Sequence, residues 1–470
     1  MTIWSWPRLA SNPTAGVLAM LLSAFEPTLA GAASDVPPAA ASAEAQAPVQ
    51  AEAVIQMQTE TAGLPLHLGR LRSQQQAGVT VHLAIPTEEQ AAKIFGVPLA
   101  AAGIQPIWLR IENTSDHDYW LLPISIDPDY YSADEAALVT LKKVPKDQRP
   151  AHADLFRRNA LPFFSKAGST NEGYVYASHV RGGRFVDIRM TGSQQGIRMR
   201  FAVMLPTEGF DYERSPLKAL YDKVGAYPDL DLAGFRARLR GLPCCTSTPD
   251  SVGEGDPLNV VIVGTGEDVI SALAASGWSF TEAITADSVR RMVGAAIAEK
   301  SFLTAPVSSL YAFGRKQDLA LQRGRNTISQ RNHMRLWLAP FRCEGRPVWI
   351  GQVSRDIGVK TTTKSPTLTT HVIDPVVDES REYLLHSLLH HDAVSRFAFV
   401  LGVGEATHDS PRYNLTGDPY ITDGTRLVVW ISSQPVDPNE AVNLGWNLST
   451  DPVLEGRGEY SKVPPKKIDQ

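Results

Sequence analysis

The sequence predicts an α+β protein: an N-terminal β-sandwich-like domain, then an α+β domain with a mixed sheet and helices on one side. Three observations lead there. Residues 55–206 hold several short alternating runs separated by Gly-rich turns, the pattern of antiparallel strands. Asn259–Val263 is a continuous apolar run, as in a strand covered on both faces. After it, strand and helix patterns follow in the order β-α-α-β-β-β-α-β-β, which suits a sheet with helices laid against it. The 470 residues leave room for two or three domains, and 43% apolar with 20% charged content describes a chain with a packed core. A net charge of −5 argues against general nucleic-acid affinity, which needs a basic surface, though a local basic cluster can exist inside an acidic total.

Met1–Ala32 reads as an export signal: Arg8 in the n-region, an apolar run Ala15–Phe25, and small residues at Ala30-Gly31-Ala32. That run is shorter than the about 20 residues a membrane span needs. A retained N-terminal anchor is the alternative. Residues 33–54 are rich in Ala, Pro and Glu and are expected to be a disordered linker. The expected location is therefore outside the cytoplasm, in the periplasm or cell envelope.

Within 55–206, Val81–Ile85 alternates as a strand. Thr87 and Gln90 form a capping box that opens a helix through Phe95. Ile107, Leu109 and Ile111 alternate as a half-buried strand. Tyr174–His179 and Arg184–Met190 are expected to pair as a hairpin about Gly182-Gly183, and Ile197–Leu205 is a further strand. Residues 207–256 read as a connector with two short helical patterns.

The second domain is placed at 257–450. Gly264-Thr265-Gly266 follows its first strand, and Thr265 with Asp268 caps a helix that ends at Gly277. Neither GxGxxG nor GxxxxGK[ST] is complete there, and Glu267 and Asp268 bring negative charge, so the glycines read as a tight turn and not a phosphate loop. A second helix is expected over 286–299. Strands follow near 308–313, 319–322, 332–338 and 347–353, then a helix over 375–390 with Asp374 as N-cap and Pro375 at N1, then strands near 396–403 and 426–431. Residues 451–470 form a polar tail.

Candidate chemistry concentrates between Tyr311 and Asp392. His333, Arg335 and Trp337 point one way along their strand, and Met334, Leu336 and Leu338 the other. A hairpin to the next strand is expected to bring Trp337 and Trp349 onto one surface beside Arg335 and His333, either as a ligand-binding wall or as a packing cluster. Between Tyr311 and Trp337, Arg315, Lys316, Arg323, Arg325, Arg331 and Arg335 face the single acid Asp318. Such an excess suits phosphate or carboxylate, which arginine binds bidentately, or it is a solvated basic face. His333 or His371 with Asp356 or Asp374 could serve as a base pair for hydrolysis. A Ser-His-Asp triad lacks the G-x-S-x-G elbow, and Asn326, Ser329 and Ser354 carry no signature. His333, Asp356, His371 and Asp374 could together hold a divalent metal, but no HxH, HExxH or Cys/His spacing supports one, and no metal or cofactor is expected. The three cysteines are Cys244, Cys245 and Cys343. Adjacent cysteines rarely bridge each other, so either member of the pair could bond Cys343 in an oxidising compartment, or all three are thiols without a role.

The segments RKQDLALQRGR (Arg315–Arg325), RNHMRLWLAP (Arg331–Pro340), VWIGQVSRDIG (Val348–Gly358), THVIDPVVDESREYL (Thr370–Leu384) and DPYITDGTR (Asp418–Arg426) resemble the LssY-like C-terminal domain family. The resemblance runs roughly from Leu242 to Ser432. Members of that family also occur fused to membrane modules of the type 2 phosphatidic acid phosphatase class. No such module is present in this sequence, so its activity does not carry over, and the resemblance implies no catalytic residues. It implies a setting of lipids, phosphate esters or the cell envelope.

Two functions are expected on these grounds. One is an exported envelope binding or accessory protein whose Arg/His/Trp face holds an anionic ligand, a lipid headgroup or a glycan, with peripheral membrane association. The other is a hydrolase of phosphate esters or lipids using the His and Asp residues of the C-terminal domain. Whether the protein is an enzyme stays open at this level.

Overall fold

The computed structural model describes residues 71–447 except 194, 206–208, 251–252, 284–287, 289–303, 325–330 and 362–368, and omits the side chains of 213–214, 359–361 and 369–371. The expected export signal, linker and tail lie outside the described residues, as does the helix over 286–299 apart from Ser288. No helix among the described residues is long and apolar enough to cross a membrane.

The protein is α+β. Its first half holds two four-stranded sheets. One runs in the order β1 (Arg72–Gln76), β2 (Val79–Ala84), β3 (Ile104–Asn113), β6 (Thr170–Ser178). The other runs β5 (Phe164–Ser165), β4 (Tyr119–Leu121), β7 (Gly183–Thr191), β8 (Gly196–Met204). Alternate residues of both sheets, among them Val81, Leu109, Val175, Val186, Ile188, Met199 and Phe201, join one apolar cluster. The opposite face of the first sheet is covered as well. There Trp108, Tyr174 and Tyr176 pack with Phe95 of helix α1 (Glu88–Phe95) and Phe156 of α3 (Arg149–Asn159), with α2 (Ala133–Thr140) alongside. The Thr87/Gln90 capping box forms at the start of α1 as expected, with Gly96 in the left-handed conformation at its end.

The expected hairpin of Tyr174–His179 with Arg184–Met190 does not form. β6 pairs with β3, and β7 pairs with β8 and β4. Both segments bury their apolar residues in the same cluster, Val175 and Ala177 from one and Val186 and Ile188 from the other. The two strands therefore sit in different sheets. The hairpin that does form joins β7 to β8, with Thr191 opposite Gly196.

Helices α4 (Leu217–Tyr221) and α5 (Leu232–Arg240) occupy the expected connector. Beyond them, β10 (Val260–Val263) and most of the later strands build one ten-stranded mixed sheet, with α6 (Gly266–Ala275) and α7 (Val377–His390) packed on it. Its path is β11 (Ser279–Phe280), β14 (Leu319–Gly324), β15 (Arg331–Cys343), β16 (Arg346–Thr361), β10, β21 (Thr425–Ile431), β18 (Val394–Leu401), β22 (Val442–Asn443). Strand β9 (Asp229–Leu230) adds to β15 and β17 (Thr369–Ile373) adds to β16. Two small ladders stand apart: β12 (Tyr311–Ala312) with β13 (Arg315–Lys316), and β19 (Arg412–Tyr413) with β20 (Pro419–Tyr420). β10 runs parallel to β21 and antiparallel to β16, which makes the sheet mixed.

One face of this sheet packs Met334, Leu336, Leu338, Trp349 and Val353 against Val269, Ile270 and Leu273 of α6 and Leu384, Leu385 and Leu388 of α7. The other face packs Val261, Val263, Trp337, Ile350, Val428 and Trp430 against Phe235 and Leu239 of α5. This burial of both faces is why β10 and β21 read as unbroken apolar runs.

Two further expectations are corrected here. The N-cap of α7 is Val376, not Asp374. Pro375 and Val376 are held extended by Ile421, whose N–H donates to the Pro375 carbonyl at 2.7 Å, so the helix starts later. Asp374 instead accepts from the Val376 N–H at 3.1 Å. Cys343 pairs with neither other cysteine: it is a free thiol wholly buried in the core beside Phe341 and Trp430. Cys244 and Cys245 are disulfide-bonded to each other.

Candidate functional site

Strands β15 and β16 pair so that Arg331 faces Asp356, His333 faces Ser354 and Arg335 faces Gln352. Gln322 of β14 sits opposite His333 on the other side. Because side chains alternate along a strand, these seven share one sheet face and form a polar ladder. It continues, toward Trp337 and Ile350, into the apolar layer under α5. All seven are buried.

Hydrogen bonds run through the ladder. Ser354 Oγ is 2.8 Å from His333 Nε2, and His333 Nδ1 is 3.2 Å from Asp356 Oδ1. The second contact is close in distance but lies off the hydrogen-bond line, so it is an ion-pair approach and not an aligned bond. Gln352 donates from Nε2 to Ser354 Oγ at 2.8 Å and accepts from Arg335 Nη1 at 2.9 Å. Arg331 donates to Asp356 Oδ2 at 3.2 Å and to Gln322 Oε1 at 2.5 Å. The segment 304–308 crosses the ladder: Arg331 reaches the Ala305 carbonyl at 3.4 Å, and Arg335 reaches the Ser308 carbonyl at 3.0 Å. Burial holds the Arg335 guanidinium below its usual range.

The candidate residues read from the sequence separate accordingly. Arg331, His333, Arg335 and Asp356 come together. Trp337 lies farther along the same face, with its indole N–H on the Arg315 carbonyl at 3.2 Å. Arg315 is engaged by Asp318 at 3.1 and 2.8 Å and by the Leu338 carbonyl at 2.7 Å, a clip between strands. Trp349 is on the opposite face, because the register sets it across from Leu338 and not from Trp337. The expected surface bearing both tryptophans therefore does not exist, and both are fully buried. Asp374 meets Arg355 at 3.8 Å, next to Glu379 at 3.3 Å from the same guanidinium, away from His333. His371 pairs through its backbone with Val359, and its side chain lies outside the described residues.

Ser354, Gln352 and Gln322 belong to the ladder and were not singled out from the sequence. The signal was present as Q-x-S-x-D over 352–356 facing R-x-H-x-R over 331–335, two period-two polar runs on neighbouring strands. Among the described residues, Cys244, Cys245 and Glu254 bring potential ligand atoms within 4.8 Å of one another. The Arg412 guanidinium contacts all three, so a cation already fills that place and no metal is assigned.

A second charged cluster lies at the start of α7. Arg381, wholly buried, sits 2.9 Å from Asp423 and 3.2 Å from Asp378, and Asp378 accepts from the Asp423 N–H at 2.7 Å and the Thr422 hydroxyl at 2.8 Å. Burial pushes the Asp378 carboxyl up to about 6, against the opposing pull of Arg381. This cluster ties the helix to the turn before β21.

No curated protein matches the chain. Residues 239–425 match the family model described as LssY C-terminus, a span that contains the ladder and the Arg381 cluster. Over that span the chain is similar to the LssY C-terminus family.

Proposed function

We propose that the protein is an exported cell-envelope hydrolase that cleaves carboxylic esters of lipids carrying an anionic group, with Ser354, His333 and Asp356 as its working residues. The observation that carries this is the order Ser354 Oγ, His333 Nε2, His333 Nδ1, Asp356, at 2.8 and 3.2 Å. A serine needs a neighbouring base to become a nucleophile, and a carboxylate beside that base stabilises the imidazolium formed when it takes the proton. In the reaction Ser354 Oγ bonds to the ester carbonyl carbon and its proton passes to His333 Nε2. His333 returns that proton to the departing alcohol, and water then releases the acyl group from Ser354 by the same route. Gln352 Nε2, 2.8 Å from Ser354 Oγ, is the donor best placed for the developing oxyanion. Arg331 and Arg335 flank the relay, and once the segment 304–308 is displaced their contacts to the Ala305 and Ser308 carbonyls are given up to a phosphate or carboxylate on the substrate.

A solvated Arg/His/Trp face that only binds an anion has less support. Its tryptophans lie on opposite sides of the sheet, and its arginines are buried against protein acceptors. Seven buried polar groups are also a poor way to stabilise a sheet, since apolar residues of similar volume would do as well. Ser354 is 1% exposed, so substrate must displace the segment 304–308 that Arg331 and Arg335 now hold.

The test is labelling of the full chain with a fluorophosphonate, with mass spectrometry to locate the adduct. Turnover of p-nitrophenyl acyl esters and of anionic phospholipid vesicles is measured alongside. Ser354 should carry the adduct, Ser354→Ala should abolish it, and His333→Ala should slow turnover by about 10² to 10⁴. An unlabelled Ser354 together with no ester turnover in a folded chain would overturn the proposal.

A further inference from the structure

The linkage between Cys244 and Cys245 lies outside the ladder and has its own polar surroundings. Arg412 Nη2 donates to Cys244 Sγ at 3.1 Å and to Cys245 Sγ at 3.5 Å, and the same nitrogen pairs with Glu254. Arg412 is itself held by the Val403 carbonyl, which accepts from Nη1 at 2.8 Å. The Tyr420 hydroxyl is 3.6 Å from Cys245 Sγ. Arg412 and Tyr420 are cross-strand partners on β19 and β20, so one hairpin delivers the cation and the hydroxyl together. Backbone bonds fix the pair from the other side: Cys244 accepts from the Leu258 N–H at 2.8 Å, and Cys245 bridges Pro257.

A disulfide that only braces a fold has no use for a guanidinium on both sulfurs. A cation there does little for the neutral S–S bond, but it stabilises a thiolate, the species released when the bond is opened. Cys244 is half-buried and Cys245 is buried, so an incoming thiol meets Cys244 first.

We propose that Cys244–Cys245 is a redox-active disulfide that exchanges with a dithiol reductant, with Arg412 and Tyr420 stabilising the thiolate it releases. One thiolate of the reductant attacks Cys244 Sγ. The S–S bond breaks, and Cys245 leaves as a thiolate facing Arg412 and Tyr420. The second thiol of the reductant then attacks its own sulfur in the mixed disulfide and frees Cys244. Two electrons pass from the reductant to the protein pair, the reductant ends as a disulfide, and its two protons are taken up by the freed thiolates or by solvent. Burial pushes the Tyr420 phenol up to about 12, so it remains a proton donor during the exchange. Cys343 takes no part: it is fully buried, and burial pushes its thiol up to about 12.

The experiment uses the full chain, air-oxidised, with iodoacetamide trapping and mass spectrometry before and after dithiothreitol at pH 7. Cys244 and Cys245 should be protected before reduction and labelled after it, with Cys343 unlabelled throughout. Arg412→Ala should slow reduction at least about threefold, the effect on exchange of raising the leaving thiol's pKa by about one unit, and Arg412→Lys should restore most of the rate. Tyr420→Phe removes only the hydroxyl and should slow reduction at least about threefold, which keeps the test open if Arg412→Ala does not fold. Labelling of Cys244 and Cys245 without reductant would overturn the proposal. So would equal reduction rates in the wild type and in every folded variant.

Discussion

Arg381→Met tests the account of the second charged cluster most directly. The guanidinium is wholly buried and meets Asp423 at 2.9 and 3.1 Å, Asp378 at 3.2 Å, Glu382 at 2.8 Å and the Thr425 carbonyl at 2.8 Å. Methionine keeps most of the stem but leaves Asp378 and Asp423 buried without their cation. Removing one partner of such a group costs about 3–5 kcal/mol. The cost should depend on pH, with a sign that follows from the carboxyls. Asp378 is already pushed up to about 6 by burial, and losing Arg381 raises it further. A carboxyl raised in the folded state makes the native protein bind more protons than the unfolded chain between the two values. Stability therefore falls as pH rises through that window. For Asp378 as it stands, that window runs from about pH 4 to about pH 6 and is worth about 3 kcal/mol. The measurement is urea unfolding of wild type and variant at pH 5 and pH 8, followed by circular dichroism. The deficit should be smaller at pH 5 than at pH 8. A deficit below about 1 kcal/mol at pH 8, or one that grows as pH falls, would refute the reasoning.

Two further substitutions probe the packing that holds the ladder in place. Thr265 caps α6 by accepting from the Asp268 N–H at 3.1 Å, so Thr265→Ala should cost about 1 kcal/mol in thermal or urea unfolding. Gly351 lies where an added Cβ would come within 2.7 Å of Leu336 Cδ2 and 3.3 Å of the Arg335 carbonyl. Gly351→Ala should therefore destabilise by about 1–3 kcal/mol through overpacking, and Leu336→Ala in the same chain should return part of that loss in a double-mutant cycle.

The fold was legible wherever a local pattern had one explanation. The Thr87/Gln90 and Thr265/Asp268 caps, the apolar β10 and the alternating β15 are all local features, and the structure has them. α2 has no counterpart in the sequence reading, although Ser132 and Glu135 form the same kind of capping box. The expected β6–β7 hairpin failed because glycines between two strands fit a turn equally well whether the chain folds back or crosses to a second sheet. The placing of Asp374 as N-cap followed from good local chemistry, and a distant backbone contact from Ile421 overrode it.

The candidate site divides in the same way. The alternation of Arg331, His333 and Arg335 against Met334, Leu336 and Leu338 is fixed by the two-residue period of a strand, so it was readable in the sequence. Its partners were not, because register depends on which residues of β16 face β15. A slip of one residue would have put Trp349 beside Trp337 and turned Ser354 and Asp356 away from His333. By itself, therefore, the sequence determined which side chains of β15 share a face. Only the tertiary pairing decided that this face is buried, that it carries Ser354 and Asp356, and that Trp349 lies behind it. The reason is physical: side-chain alternation is a property of one strand, whereas proximity across strands is a property of the assembled sheet.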